Sequence, residues 1–138
     1  MSHTISCNWN EGMSFDAKVN GHTVTLDAAE AAGGRDAGPQ PKPMLLVSLA
    51  GCTGMDVISI LNKMNQNPGY FNLKVEGDLT DEHPKYYRSI KVIYEFKEVD
   101  GLDPKKVEKA VKLSQEKYCG VSALLKKAVD LDYEIRYL

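Results

Sequence analysis

The stretch from Pro41 to Asn65 constrains the fold most, because apolar residues cover nearly every face of the helix it predicts. Helices that are apolar all round either span a membrane or lie at the centre of a folded protein. Asp56 falls in the middle of the stretch, among glycines and small polar residues, and a carboxylate inside a bilayer is costly. We therefore expect a buried central helix. A chain of 138 residues has little other material to wrap such a helix, which indicates a dimer.

The length of 138 residues predicts a single domain over residues 1–138. Hydrophobic residues make up 43% and charged residues 26%, which is typical of a soluble globular protein. A formal net charge of −2 argues against general binding to nucleic acid or to anionic membranes. Three cysteines are too few for a secreted disulfide scaffold, and the chain does not open like a signal peptide. We expect a cytoplasmic protein with reduced thiols.

The pattern of elements predicts an α+β protein with mostly antiparallel strands. Asn20-Gly21 lies between two β-rich runs and predicts a hairpin with a type I′ turn, because that turn needs positive φ twice. Asp103-Pro104 predicts a helix start, with the carboxylate as N-cap and proline at the first helical position. The expected strands are 3–9, 14–19, 22–27, 71–79, 86–97 and 132–138; the expected helices are 41–65, one from 104, and 121–129.

The glycine-rich segment 28–40 is predicted to be a loop. Glycine-rich loops can cradle phosphate, but Gly33-Gly34 matches no P-loop or dinucleotide-binding pattern, so we favour an ordinary turn.

The sequence predicts neither a metal site nor a hydrolase triad. The three histidines are scattered, and the cysteines are 45 and 67 positions apart (7 to 52, 52 to 119), whereas zinc sites usually pair some ligands at short spacing. No Gly-x-Ser-x-Gly motif is present. No cofactor is predicted.

Each cysteine sits in a different local setting. Cys7 lies on a predicted strand among apolar neighbours, which favours a small buried core residue. Cys52 lies inside the long helix beside Gly51 and close to Gly54, and glycine inside a helix costs about 1 kcal/mol relative to alanine. Either another backbone or a substrate approaches there, or the small residues serve tight helix packing. Cys119 precedes a short helix, where the helix dipole and Lys117 would favour the thiolate; a buried cysteine between helices is the alternative.

Two segments carry a family resemblance. The first runs from Gly38-Pro39-Gln40-Pro41 through Leu49-Ala50-Gly51-Cys52-Thr53-Gly54-Met55-Asp56-Val57. The second is Leu113-Ser114-Gln115-Glu116-Lys117-Tyr118-Cys119-Gly120-Val121. With them the chain resembles the OsmC/Ohr family, and within it the OsmC-like (YhfA-type) branch. The order of elements extends the resemblance to nearly the whole chain.

The resemblance implies an intertwined homodimer in which antiparallel sheets from both chains wrap the long central helices. It also implies reduction of organic hydroperoxides in a stress response. The cysteine matching Cys52 would attack the peroxide and become a sulfenic acid, and the cysteine matching Cys119 would resolve it to a disulfide. A dithiol reductant would then restore the thiols. An apolar funnel would admit the peroxide; Met44, Leu45, Met55 and Tyr118 are candidate wall residues.

The sequence departs from the active peroxidases of the family at the group that activates the thiol. Those enzymes carry a glutamate nine or ten positions before the first cysteine, which orients an arginine; these positions are Pro43 and Lys42 here. Arg35 is the only arginine before Cys52, so Lys42 or Arg35 would have to supply the cation. Asp56, one helical turn from Cys52, is expected to raise the pKa of that thiol.

Two hypotheses of function follow. In the first, the protein is an organic hydroperoxide reductase (a peroxiredoxin-like oxidoreductase), with Cys52 peroxidatic, Cys119 resolving, and the two sulfurs close together. In the second, it is a non-catalytic OsmC-like dimer that binds a small apolar ligand or senses redox state, with the sulfurs well separated.

Overall fold

The computed structural model describes all residues, Met1–Leu138. Contacts between Cα atoms divide the chain into two compact units, 1–45 and 46–138, which we describe separately. The predicted single domain over 1–138 stays a prediction. The architecture is α+β, as predicted, with six strands and three helices: β1 Ser6–Glu11, β2 Ser14–Val19, β3 His22–Leu26, α1 Met44–Lys63, β4 Phe71–Leu79, β5 Tyr87–Phe96, α2 Pro104–Leu113, α3 Gly120–Lys126 and β6 Asp130–Tyr137.

The first unit contains an antiparallel sheet in the order β1-β2-β3. Asn20 and Gly21 have φ of 50° and 80°, so the two positive values that the hairpin turn requires are present. The register places the apolar residues of the three strands on one face: Cys7, Trp9, Phe15, Ala17, Val19, Val24 and Leu26. The other face carries polar residues such as Asn8 and Asp16.

The apolar face of this sheet remains largely exposed. Trp9 is 67% exposed and Phe15 39%, while Ala17 is buried. Cys7 is exposed as well, so the prediction that it is a core residue is wrong for this chain. The prediction assumed that apolar neighbours on a strand are covered, but the whole of β1 is exposed.

The loop after β3 is organised around the buried carboxylate of Asp27. Its oxygens accept hydrogen bonds from the backbone N–H groups of Ala28, Arg35 and Ala37 at 2.8, 3.2 and 3.1 Å. These N–H groups, that of Ala37 first, hold the pKa of Asp27 below its usual value. Because a carboxylate of the chain itself occupies these donors, the structure supports a turn rather than a phosphate cradle.

The second unit contains a sheet in the order β4-β5-β6. β4 pairs with β5 antiparallel, and β6 joins the other edge of β5 in parallel. A parallel neighbour requires a crossover connection, which α2 and α3 supply. β5 is therefore the central strand, and every residue from Val92 to Phe96 is buried. The predicted half-buried strand is thus wrong in this half, where even Glu95 lies 3% exposed, bound to Asn72 and Lys74.

α1 buries one face and exposes the other. Leu49, Thr53, Gly54, Val57 and Leu61 are buried. Met55 on the opposite side is 76% exposed. The predicted helix is confirmed, but burial all round is wrong for this chain. By length and hydropathy the helix could cross a membrane, as core helices of globular proteins also can.

Gly51 and Gly54 lie on different faces of α1. A Cβ on Gly54 would come within 3.1 Å of the Leu73 Cδ1 atom, so this glycine permits close packing of α1 on β4. A Cβ on Gly51 would meet nothing within 4 Å. Close packing therefore accounts for one of the two glycines only.

The connection between β5 and β6 begins as predicted. The Asp103 side chain accepts a hydrogen bond from Lys105 N at 3.0 Å and caps α2, with Pro104 in the first turn. After Leu113 the helix widens into a π-helical turn, Ser114–Tyr118, which was not predicted. Cys119 breaks the helix with extended backbone and is the N-cap of α3.

Candidate active site

Three side chains that the sequence separates converge at one point in the second unit. The Sγ atoms of Cys52 and Cys119 and a carboxylate oxygen of Asp56 all lie within 4.8 Å of one another. Cys52 and Asp56 are one turn apart on α1, while Cys119 comes from the break between the π-helical turn and α3. The closeness of the sulfurs fits the first hypothesis and contradicts the separation that the second hypothesis predicts.

The start of α3 presents backbone N–H groups to both sulfurs. The Ser122 N–H donates to Cys119 Sγ at 3.3 Å, and the Val121 N–H donates to Cys52. Cys119 is itself fixed by its own N–H, which donates to the Ser114 carbonyl at 2.8 Å. Cys119 is buried, whereas Cys52 is partly exposed. Cys52 is therefore the sulfur that a dissolved molecule can reach.

The surroundings of Cys52 favour the protonated thiol. Burial is the main cause that raises its pKa, and the neighbouring Cys119 and the Asp56 carboxylate raise it further. The Val121 N–H acts in the opposite direction. The predicted influence of Asp56 is confirmed in its sign. Lys42 and Arg35, the proposed substitute cations, belong to the unit 1–45, and their role as cations stays a prediction.

Behind Asp56 runs a chain of hydrogen bonds that sequence analysis missed. The Ser114 hydroxyl lies 2.9 Å from Asp56 Oδ2 and 2.7 Å from the Thr53 hydroxyl. Thr53 in turn lies 2.6 Å from the Tyr94 hydroxyl, which lies 2.7 Å from Gln115 Nε2. Thr53, Ser114 and Gln115 are buried and Tyr94 is fully buried. Thr53 and Ser114 did stand inside the two recognised motifs, which was the available signal.

The two thiols and the Asp56 carboxylate are also side chains of the kinds that bind metal ions. Structural zinc sites use four ligands and catalytic ones three plus water, with thiolate sulfur preferred. Cys52, Cys119 and Asp56 offer three. No metal site was predicted, because the cysteines are far apart along the sequence, and that spacing carries no information about which residues meet in the fold. A bound cation would occupy the same sulfurs that thiol chemistry needs.

The predicted wall residues are dispersed. Met55 lines an open groove of about 690 Å³ beside α1, together with Gly51, Ile58, Phe71 and Leu73. Leu45 and Tyr118 are about half exposed, and Met44 is partly buried. Neither cysteine lines this groove, so it is separate from the pair of thiols.

Fold and site together define a class: an α+β protein with two cysteines brought together from a long helix and from a C-terminal helix break. A sequence model of the family described as OsmC-like protein matches residues 33–134. Protein YhfA of Escherichia coli K12 is 34% identical over 132 residues, which cover 92% of this chain and 93% of YhfA. The chain belongs to the OsmC-like protein family.

Solved structures agree with this assignment. A hypothetical protein from Aquifex aeolicus is 29% identical, with a TM-score of 0.82 over 100% of this chain and 98% of the other. An organic hydroperoxide resistance protein, OsmC, from Legionella pneumophila is 14% identical, with a TM-score of 0.70 over 98% and 96%. At that identity the second likeness shows the fold alone.

Proposed function

We propose that this protein reduces organic hydroperoxides, with Cys52 as the peroxidatic and Cys119 as the resolving cysteine. The observation that carries the proposal is the placement of the two Sγ atoms within 4.8 Å of one another, with Cys52 the more accessible. Sulfurs this close form a disulfide after side-chain rotation, without moving either helix far. The family and the fold, which is shared with a hydroperoxide resistance protein, support the same reaction.

The reaction has two steps on the protein. The Cys52 thiolate attacks one peroxide oxygen, the O–O bond breaks, and the products are Cys52 sulfenic acid and an alkoxide that takes up a proton to become an alcohol. The Cys119 thiolate then attacks the Cys52 sulfur, and hydroxide leaves and is protonated to water as the disulfide forms. An external dithiol reduces the disulfide and returns both thiols. Two electrons pass from the dithiol to the peroxide in each cycle.

The substrate in this proposal is a small apolar hydroperoxide. The sulfurs lie beside an apolar core that includes Leu49, Val57 and Tyr94, so an alkyl group would meet apolar surface on approach. We place the protein in the cytoplasm, where reductants keep structural disulfides rare and a disulfide formed in catalysis can be reduced.

The working form in this proposal is a homodimer. The apolar face of β1-β2-β3 and the exposed face of α1 carry large apolar side chains such as Trp9, Phe15 and Met55. Exposed apolar surface of this extent is typical of an interface. A second copy of the chain that wraps these faces would bury them.

Intact mass after one equivalent of cumene hydroperoxide tests the proposed reaction. We expect the wild type to lose two hydrogens, since the Cys52–Cys119 disulfide forms. Cys52→Ser should keep its mass, and Cys119→Ser should accumulate a sulfenic acid that dimedone traps. Cys7→Ser is the matched control and should behave as the wild type, because Cys7 is not among the groups that converge on Cys52. A wild type whose mass does not change would disprove the proposal.

A second candidate is supported by the groove beside α1. In this candidate, a non-catalytic dimer leaves the groove open and binds a small apolar ligand there, because the groove is lined mainly by apolar and small residues and excludes both cysteines. In that case Cys52→Ser would leave ligand binding unchanged, while Met55→Glu would abolish it. Binding of a fluorescent apolar probe such as ANS to the two variants separates the candidates.

A further inference from the structure

The series of hydrogen bonds from Asp56 to Gln115 has a defined donor and acceptor at each step, because each hydroxyl group has only one hydrogen to donate. An ionised carboxylate only accepts, so the Ser114 hydroxyl donates its one hydrogen to Asp56. Ser114 must then accept from Thr53. Since the Thr53 hydroxyl donates its one hydrogen to Ser114, it accepts a hydrogen bond from the Tyr94 hydroxyl. The result is one sequence of donors that all point toward Asp56.

The far end of the chain agrees with this direction. Tyr94 donates to Thr53, so it must accept from Gln115, whose Nε2 group lies 2.7 Å away and can only donate. Burial is the main cause that raises the pKa of Tyr94, which keeps the phenol protonated and able to donate. The hydrogens of all four hydrogen bonds thus point along the network toward Asp56.

The amide at the end also offers an alternative state. Gln115 Oε1 is buried and has no hydrogen-bond partner. If Asp56 takes up a proton it can donate to Ser114, each hydroxyl can reverse, and a flipped Gln115 amide can accept at the far end with this oxygen. The buried chain can therefore satisfy its hydrogen bonds in both protonation states of Asp56.

We propose that Asp56 is the proton acceptor and donor for the Cys52–Cys119 pair, and that Ser114, Thr53, Tyr94 and Gln115 are positioning residues that hold its carboxylate ready. This inference rests on the proposed function and extends it. Asp56 lies within 4.8 Å of both sulfurs, so a proton can pass directly after a small rotation or through one water. The titratable groups at this point are the two thiols, the carboxylate and the Tyr94 phenol, and the Tyr133 ring packs edge-on against that of Tyr94.

The protons balance over both steps. Asp56 takes the proton of the Cys52 thiol, and it returns that proton to the alkoxide that leaves when the O–O bond breaks. In the second step it takes the proton of the Cys119 thiol and gives it to the hydroxide that leaves the Cys52 sulfenic acid. The carboxylate is regenerated after each step. A neutral thiol at rest is compatible with catalysis if its proton has an acceptor at hand.

Asp56→Asn tests the proposal by moving two rates in opposite directions. Loss of the negative charge should raise several-fold the rate at which iodoacetamide alkylates Cys52 at neutral pH in protein that carries Cys7→Ser and Cys119→Ser, because the Asp56 carboxylate raises the pKa of the Cys52 thiol. Closure of the disulfide in protein with both cysteines should become about 100-fold slower, because its proton acceptor is lost. Local unfolding would also expose Cys52 and separate the two sulfurs, so the comparison is made on Asp56→Asn protein that keeps the wild-type melting temperature. Asp56→Glu should restore part of the closure rate.

Ser114→Ala tests the hydrogen-bond chain, with Ser122→Ala as its matched control. Both serines are fully buried near Cys119, but only Ser114 donates to Asp56, while the Ser122 hydroxyl has no partner. We expect Ser114→Ala to slow closure several-fold and Ser122→Ala to leave it unchanged. Equal effects of the two, or equal closure rates in Asp56→Asn and wild type, would overturn the proposal.

Closure should be started both with cumene hydroperoxide and with diamide, in the presence of a chelator. Diamide oxidises a dithiol without any peroxide: one thiolate adds to the N=N bond, and the second displaces the hydrazine as the disulfide forms. Closure with diamide but not with peroxide would disprove the proposed function and still measure the role of Asp56. Closure with both, at a rate independent of residue 56, would disprove only the role of Asp56.

Discussion

The two sheets have three strands each but differ in what covers their apolar residues. In β4-β5-β6 the second half of the central strand, Val92 to Phe96, is buried on both faces, and Val92 and Tyr94 have no exposed surface. In β1-β2-β3 one face is apolar, yet Ala17 is its only buried hydrophobic residue, and it keeps 8% of its surface exposed. The second unit has a hydrophobic core of its own, whereas the apolar face of the first unit is largely exposed.

This difference shows that binary patterning fixes the face of a sheet but not what covers it. A small sheet without a covered apolar face is not independently stable in water. The same holds along α1, where the residues that face β4 and β5 are buried and Met55 opposite is not. Our proposal of a homodimer assigns the missing cover to a second copy, and the following substitutions test that assignment.

The largest effect is expected in the core of the second unit. Leu61→Ala should lower the free energy of unfolding by about 2–5 kcal/mol, because Leu61 is fully buried and a cavity would remain. Leu45→Ala, on the same helix but 51% exposed, is the matched control and should cost much less at concentrations where the chain is monomeric. Denaturant titration of both variants measures the difference. If Leu45→Ala lowered the free energy of unfolding as much as Leu61→Ala does, a second copy of the chain would have to bury Leu45.

The next effect is expected on the apolar face of the first unit. Trp9→Glu should weaken dimerisation by about 2 kcal/mol or more, roughly 30-fold in the dissociation constant, since large aromatic residues dominate interfaces. Asn8→Glu places the same charge on the opposite, polar face and should leave association unchanged. Sedimentation velocity over a range of concentrations compares them. An unaltered dimer in Trp9→Glu would show that this face is not the interface.

A smaller effect distinguishes the two glycines of α1. At concentrations where the chain is monomeric, Gly51→Ala should stabilise it by up to about 1 kcal/mol, because alanine favours the helix and nothing in the same chain lies within 4 Å of the new methyl group. Gly54→Ala should gain less or lose stability, since the Leu73 side chain must yield. Thermal unfolding of both variants gives the comparison. A destabilising Gly51→Ala would indicate that a second copy packs against this face.

The smallest effect concerns acid stability of the second sheet. Arg136 and Lys91 lower the pKa of the Glu134 carboxyl from 4.5 to about 2. A carboxyl with a lowered pKa stabilises the fold above its unfolded pKa, and that contribution disappears as the pH falls from 4.5 toward 2. Glu134→Gln should therefore flatten the fall of the melting temperature in this pH range slightly. A curve as steep as that of the wild type would contradict the prediction.

Local signals in the sequence predicted local structure well. Asn20-Gly21 predicted its turn, and Asp103-Pro104 predicted the start of α2, because each depends on a few neighbouring residues. Contacts between distant segments were harder. The parallel pairing of β6 with β5 was missed, because a short alternating strand carries no information about the direction of its neighbour.

The candidate site shows the same limit. The pairing of Cys52 with Cys119 came from the family resemblance, since their spacing along the chain carries no geometric information. Ser114 and Thr53 were predicted only as members of the two segments that carry the family resemblance. Neither prediction could show that the two hydroxyls meet, 2.7 Å apart, beneath a carboxylate.

The convergence of Cys52 and Cys119 has a consequence for the unfolding of the protein. They are 67 positions apart, so a bond between them would close a loop that spans β4, β5 and α2. Loop closure of this length restricts the unfolded chain by an amount worth about 4 kcal/mol in stability. The oxidised protein would then have a higher melting temperature than the reduced one, so the melting temperature would report whether the Cys52–Cys119 disulfide has formed.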